Sequence, residues 1–191
     1  MQVPAKVRIV MNKPTKFLLC RLAVPFLAIA ATSSPALTEQ QDPVRARDLG
    51  IPFEGTPGPF NAITDVGGVT VGQVTLVEGN EPLPRGKGPV RTGVTAILPR
   101  GRESGPVFSS WFAYNGHGEL TGTAWIDELG WSDGPIIFTD AKAVGVAVDA
   151  LLRYEFDRNY SVGMPVVGET WSGALSDITG FHVRKEHVYE A

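Results

Sequence analysis

Cysteine is all but absent: Cys20 is the only one in 191 residues. It precedes an apolar stretch, whereas a lipid-modified cysteine would follow one. A chain with one thiol closes no internal disulfide. If the segment holding Cys20 is removed, no thiolate nucleophile and no cysteine metal site remain. An excess of one charge is also missing. The 17 basic and 20 acidic residues are mixed along the chain and leave a net charge of -3. No basic stripe points to nucleic acid, and no acidic tail points to a solvating segment. Long apolar runs are lacking too. "LAVPFLAIAA", Leu22 to Ala31, is interrupted by Pro25 and is too short to cross a bilayer.

What is present at the start is an ordered pattern. Lys6, Arg8, Lys13, Lys16 and Arg21 lead into that apolar stretch, and "TSSPAL" follows it. A basic region, a short apolar region and small residues at Ser34 and Ala36 read as a secretory signal covering residues 1–36, cleaved after Ala36. Met11 is an alternative start, because the basic region is complete without the residues before it. The expected location is the periplasm or the exterior, with no membrane contact after the signal is removed. The length suits one domain with a sizeable core.

Residues 37–65 read as a flexible leader and an irregular arm that could lie over the body. Their Gly and Pro residues exclude a long regular element. From Val66 onward the pattern changes. Val69, Val71, Val74 and Leu76 alternate with smaller residues, which is strand chemistry, with Gly67 and Gly68 as a turn or bulge. Further strands are expected over Val90–Arg100, Pro106–Gly116, Gly134–Asp140 and Met164–Trp171. Between the last two, Val144, Val148, Leu151, Leu152 and Phe156 recur at helical spacing over Ala143–Tyr160. Arg153, Glu155, Asp157 and Arg158 are expected on the other side. A second helix is expected from about Arg184. Strands on both sides of a helix suggest a layered α/β body.

Candidate chemistry concentrates in "AYNGHGELTGTAWIDELG", Ala113 to Gly130. His117, between two glycines, reads as a turn residue or a solvated one, with catalysis as the less favoured alternative. Glu119 follows a strand and a glycine turn, where side chains face clefts and backbone can approach a ligand. It is either a surface acid or a binder for a cationic group such as a substrate amine. Asp127 and Glu128 read as a solvated face. Trp171 could wall a pocket or fill the core. Asp177 with Thr179 could cap a turn. His182 and His187 lack the spacing of a helical zinc pair, so no metal site is expected. Ser172 and Ser176 have no identifiable base, so no serine triad is supported.

Several ordered stretches together carry a resemblance: "RARDLGIPFEGTPGPFNAITDVGGVTVGQVTL", "VRTGVTAILPRG", "YNGHGELTGTAWIDELG", "GPIIFTDAKAVGVAVDALL" and "MPVVGETWSGALSDITGFHVRKEHVYEA". From about Arg45 to Ala191 the chain resembles the DmpA-type L-aminopeptidase/D-esterases and β-aminopeptidases, peptidase family S58. The resemblance implies an αββα sandwich of the N-terminal-nucleophile type, incomplete in this chain. It implies a precursor that cuts itself in two, so that a second chain begins with the nucleophilic serine or threonine and its own amine acts as base. It implies hydrolysis of short peptides, amides or esters carrying a free amino group, without cofactor or metal, in a homo-oligomer.

On the matching positions, Glu119 would hold the substrate ammonium. Asn115 and Gly118 would belong to the same pocket loop, and Trp171 would line the site where some members have tyrosine. "TDAKAVG" departs from the family's Asn- and His-containing version. The oxyanion segment and the nucleophile are expected beyond Ala191, leaving no catalytic residue in this chain. Two alternatives stand beside this reading. One is an inactive shortened homologue that binds amines or a partner. The other is transfer chemistry of the ornithine acetyltransferase kind, against which "NGHGELTG" and "DVGGVTVGQVTL" speak.

Overall fold

The structure, a computed structural model, describes residues 7–10, 44–80, 84–103, 105–158 and 163–191. The chain divides into two compact units. In the one spanning Lys13–Pro57, the described residues 44–57 hold a turn and no regular element. There the Arg47 guanidinium donates to the carbonyls of Phe53 at 3.1 Å and Glu54 at 3.2 Å and lies over the Phe53 ring. The apolar stretch and cleavage site of the expected signal lie outside the described residues.

The second unit is a five-stranded sheet with its two later helices packed on one face. Its strands are β1 (Val7–Val10), β2 (Thr70–Glu78), β3 (Val90–Leu98), β6 (Ile136–Asp140) and β7 (Val166–Thr170), in the order β1-β2-β3-β6-β7. A two-residue ribbon joins β4 (Val107–Phe108) to β5 (Trp131–Ser132). The helices are α1 (Thr123–Leu129), α2 (Val144–Asp157) and α3 (Lys185–Glu190). β1 lies within the stretch expected to be the basic part of the signal and pairs in parallel with β2. β2, β3 and β6 are antiparallel neighbours, whereas β6 and β7 are parallel. Parallel neighbours need a crossover, and α2 supplies it.

The core explains this arrangement. Period-two alternation sends Val74 and Leu76 of β2, and Val90, Val94 and Ala96 of β3, to the helix side, where all are buried. Ile137 and Val167 continue that layer. Ala147 and Ala150, both fully buried, bring α2 close to the sheet, and Val188 of α3 completes the cluster. Each buried Val, Leu or Ile contributes about 1.5–3 kcal/mol. On the opposite face Phe138 packs over Gly168 beside Leu120. A Cβ at Gly168 would sit 2.7 Å from the Phe138 ring, so no larger residue fits there.

Three sequence expectations need correction. The aromatic-rich segment from Pro106 is a strand only at Val107–Phe108. Beyond it, Phe112 and Tyr114 project into solvent, with no partner strand among the described residues. A helix, α1, stands where Asp127 and Glu128 had suggested only a polar segment. The faces of α2 also differ from the expected ones. Val144, Ala147, Leu151 and Glu155 form the buried ridge at i, i+3, i+7 and i+11, and Phe156, one residue out of phase, is 78% exposed.

Candidate active site

The site is built at the carboxyl ends of β6 and β7, where an open α/β sheet places its ligands. Asn115 begins it. Its side-chain oxygen accepts from the backbone N–H of His117 at 2.9 Å and Gly118 at 3.2 Å, folding "NGHG" into a tight exposed turn. The chain then runs antiparallel along the outer edge of β7. Glu169 N donates to Glu119 O at 2.9 Å, Leu120 bridges Gly168, and Thr121 N donates to Val167 O at 3.0 Å. Thr121 locks the register. Its hydroxyl donates to Pro165 O at 2.5 Å and accepts from Val167 N at 2.9 Å.

Glu119 is therefore an exposed carboxylate on a backbone fixed to the sheet. A cation in solution can reach it, which suits binding of an ammonium group. Asn115 and Gly118 hold the turn before it. Trp171 follows β7 directly and is 68% exposed, so the alternative of a core-filling indole does not hold. Its ring lies against Gly173, where a Cβ would meet the indole at 2.7 Å. Of the four residues picked out by the sequence, Glu119 is bonded to β7, Asn115 and Gly118 form the turn before it, and Trp171 follows the strand.

The residues between and behind them were less visible in the sequence. Asp140, 5% exposed at the end of β6, accepts from Lys142 N at 2.8 Å and from the Ser172 hydroxyl at 2.7 Å. It ties the segment after Trp171 to the start of α2. Ser176 is buried and accepts from Arg91 N at 3.0 Å. Both serines thus serve the framework, and among the described residues neither hydroxyl is hydrogen-bonded to a histidine or lysine. Asp177 and Thr179 form the turn expected of them: the carboxylate accepts from Thr179 N at 3.0 Å and the Thr179 hydroxyl at 2.5 Å. It also reaches across the fold to the N–H groups of Gly86 and Gly88. The Thr179 hydroxyl, followed by these backbone donors, pushes the pKa of Asp177 down to about 2.

Away from this end, Asp127 accepts from the Trp111 indole N–H at 2.8 Å, which makes it a fastener for the exposed aromatic segment. His187 Nδ1 accepts from Arg184 N at 3.1 Å, and His182 is partly buried. Among the described residues no group of three or more His, Cys, Asp or Glu side chains could hold a metal ion. No helix there is long and apolar enough to cross a membrane.

Comparison with known proteins agrees with this architecture. Residues 61–191 match Peptidase family S58. A β-peptidyl aminopeptidase, BapA, from Sphingosinicella microcystinivorans is 51% identical over 169 residues, which cover 87% of this chain and 43% of that protein. The L-aminopeptidase D-Ala-esterase/amidase from Ochrobactrum anthropi is a serine aminopeptidase with a variant of the Ntn hydrolase fold. It superposes with a TM-score of 0.68 at 44% identity, over 77% of this chain and 43% of that one. A Burkholderia β-aminopeptidase gives a TM-score of 0.68 at 46% identity, over 78% and 42%. The chain thus spans less than half the length of these relatives, and its sheet and helices have the Ntn hydrolase fold of the solved ones. It belongs to peptidase family S58.

Proposed function

We propose that this chain forms the amine-recognising part of a self-processing serine aminopeptidase that removes N-terminal residues, including β-amino acyl residues, from short peptides, amides or esters. The observation behind this reading is the exposed Glu119 carboxylate held by its backbone to Glu169 of β7, with the exposed Trp171 two residues further along that strand's exit. In this reading the substrate ammonium pairs with Glu119, and Trp171 walls the adjoining acyl group. A second chain carries the nucleophilic serine or threonine, whose own α-amine takes the hydroxyl proton. The oxyanion donors come from a segment ahead of the cut, and the second chain covers the open sheet face, where Val77 and Phe138 are about two-fifths exposed. The protein is exported to the periplasm or beyond and works as a homo-oligomer.

The test is the denatured intact mass of the protein made by its own host, with hydrolysis assayed on the same sample. Two chains, one beginning with serine or threonine, together with release of N-terminal residues, support the reading. A single uncut chain that binds amines without hydrolysing them points instead to an inactive binding homologue.

A further inference from the structure

A cleft opens at the same end of the sheet, with a volume of about 560 Å³. It is lined by Arg85, Gly86, Lys142, Thr179 and Phe181. Arg85 and Lys142 are exposed, and among the described residues no hydrogen bond or ion pair engages either side chain. The two nearby carboxylates are occupied otherwise: Asp177 by Gly86, Gly88 and Thr179, and Asp140 by Lys142 N and Ser172. Asp177 thus clamps one wall of the cleft to the other across 91 positions of sequence.

The loop that forms the second wall is shaped at a cost. Phe181 adopts φ 49° and ψ 48°, a left-handed conformation unusual for a bulky residue, and its ring is 66% exposed on the cleft. Gly180 leaves room for the His182 ring, which a Cβ would overlap at 2.1 Å. A strained, exposed aromatic beside two unpaired cations is difficult to account for by packing and suits a ligand contact.

We propose that this cleft is an anion subsite for the free carboxylate of a short peptide whose ammonium is held at Glu119. The assignment rests on the amine-pocket reading above. Asp140 pairs with Thr170 of β7 on one side, and Glu119 lies opposite Glu169 of β7 on the other. Their backbones are therefore two strand spacings apart, about 10 Å. Lys142 follows two residues after Asp140. An extended peptide advances about 3.3–3.6 Å per residue, so three or four residues span the two charges. Arg85 and Lys142 donate to the carboxylate, and the Phe181 ring covers the last side chain.

Calorimetric titration of the full chain as its host makes it separates the two subsites. The probes are an N-acetylated tripeptide acid, which lacks the ammonium, and a tripeptide amide with an N-methylated first peptide bond, which lacks the carboxylate and resists cleavage. Lys142→Met and Arg85→Gln should each weaken the capped acid about three- to tenfold and leave the amide unchanged, while Glu119→Gln does the reverse. Both cations are exposed, so these variants should melt like the parent. Failure of the amide to bind, with the capped acid still weakened by both variants, would sink the amine reading and keep the anion subsite. Equal binding of the capped acid to parent and variants, or none to the parent, would overturn the subsite. Inorganic phosphate binding as tightly as the capped acid would also overturn it, by showing a cleft that reads charge alone.

Discussion

Two acidic residues of the same body are treated in opposite ways. Asp177, in the loop facing the cleft, collects four donors from two distant segments, and its pKa falls to about 2. Glu155, on the inner ridge of α2, is 3% exposed, and its Oε2 has no hydrogen-bond partner among the described residues. Burial first, and then the neighbouring Asp133, push its pKa up to about 7. Near Asp177 the chain fixes loops with a charge that hydrogen bonds stabilise. Near Glu155 it packs a helix over a carboxyl that folds more readily with its proton on. The two environments show where the fold invests in positioning: at the ends of β6 and β7, not along the back of α2.

The largest effect should come from removing the clamp. Asp177→Ala strands the N–H groups of Gly86, Gly88 and Thr179 and should lower the melting midpoint by roughly 5–10 °C. It should also blunt capped-acid binding, because the cleft walls separate. A melt unchanged within 1–2 °C would mean that the four hydrogen bonds are dispensable. Acid should imitate the substitution. The folded pKa lies below the ordinary value of 3.8, so this stabilisation is present above that value and is lost as the pH falls toward about 2.

Glu155 should give the smaller effect with the opposite sign. Its folded pKa of about 7 lies above the ordinary 4.5. Between those values the folded chain holds a proton that the unfolded chain has released. Stability should therefore decline by about 1–3 kcal/mol as the pH rises from 4.5 to 7, then level off. In Glu155→Gln that slope should disappear while the acid-side loss from Asp177 persists. Identical pH–stability curves for parent and variant would remove the contrast between the two sites.

Much of the body is legible in the sequence because its signals are local. Alternating valines mark β2, "GPIIFTD" marks β6, and the apolar period marks α2. Half of the Asp177 cluster is local as well, since Thr179 lies two residues away. The other half is not: Gly86 and Gly88 are reached only through the fold. α1 escapes notice because seven residues show little period, and both its ends are left-handed glycines, Gly122 and Gly130, in place of a Ser, Thr or Asp cap. The segment after Phe108 has strand composition but, among the described residues, no strand beside it to pair with. Glu155 is hidden by its own polarity, because pattern reading assigns a glutamate to solvent. At the site, Glu119, Asn115 and Gly118 stand out because glycines surround them. Arg85, Lys142 and Phe181 look ordinary until the loops bring them together.

The most direct test is the kinetics of Glu119→Gln in the full chain as its host makes it, using a free-amine peptide as substrate. Losing one charge-assisted contact of about 1–3 kcal/mol should raise KM roughly 10–100-fold, with kcat changed much less and self-cleavage intact. A KM equal to that of the parent would show that the ammonium is bound elsewhere and would contradict the assignment of the amine pocket to the end of β7.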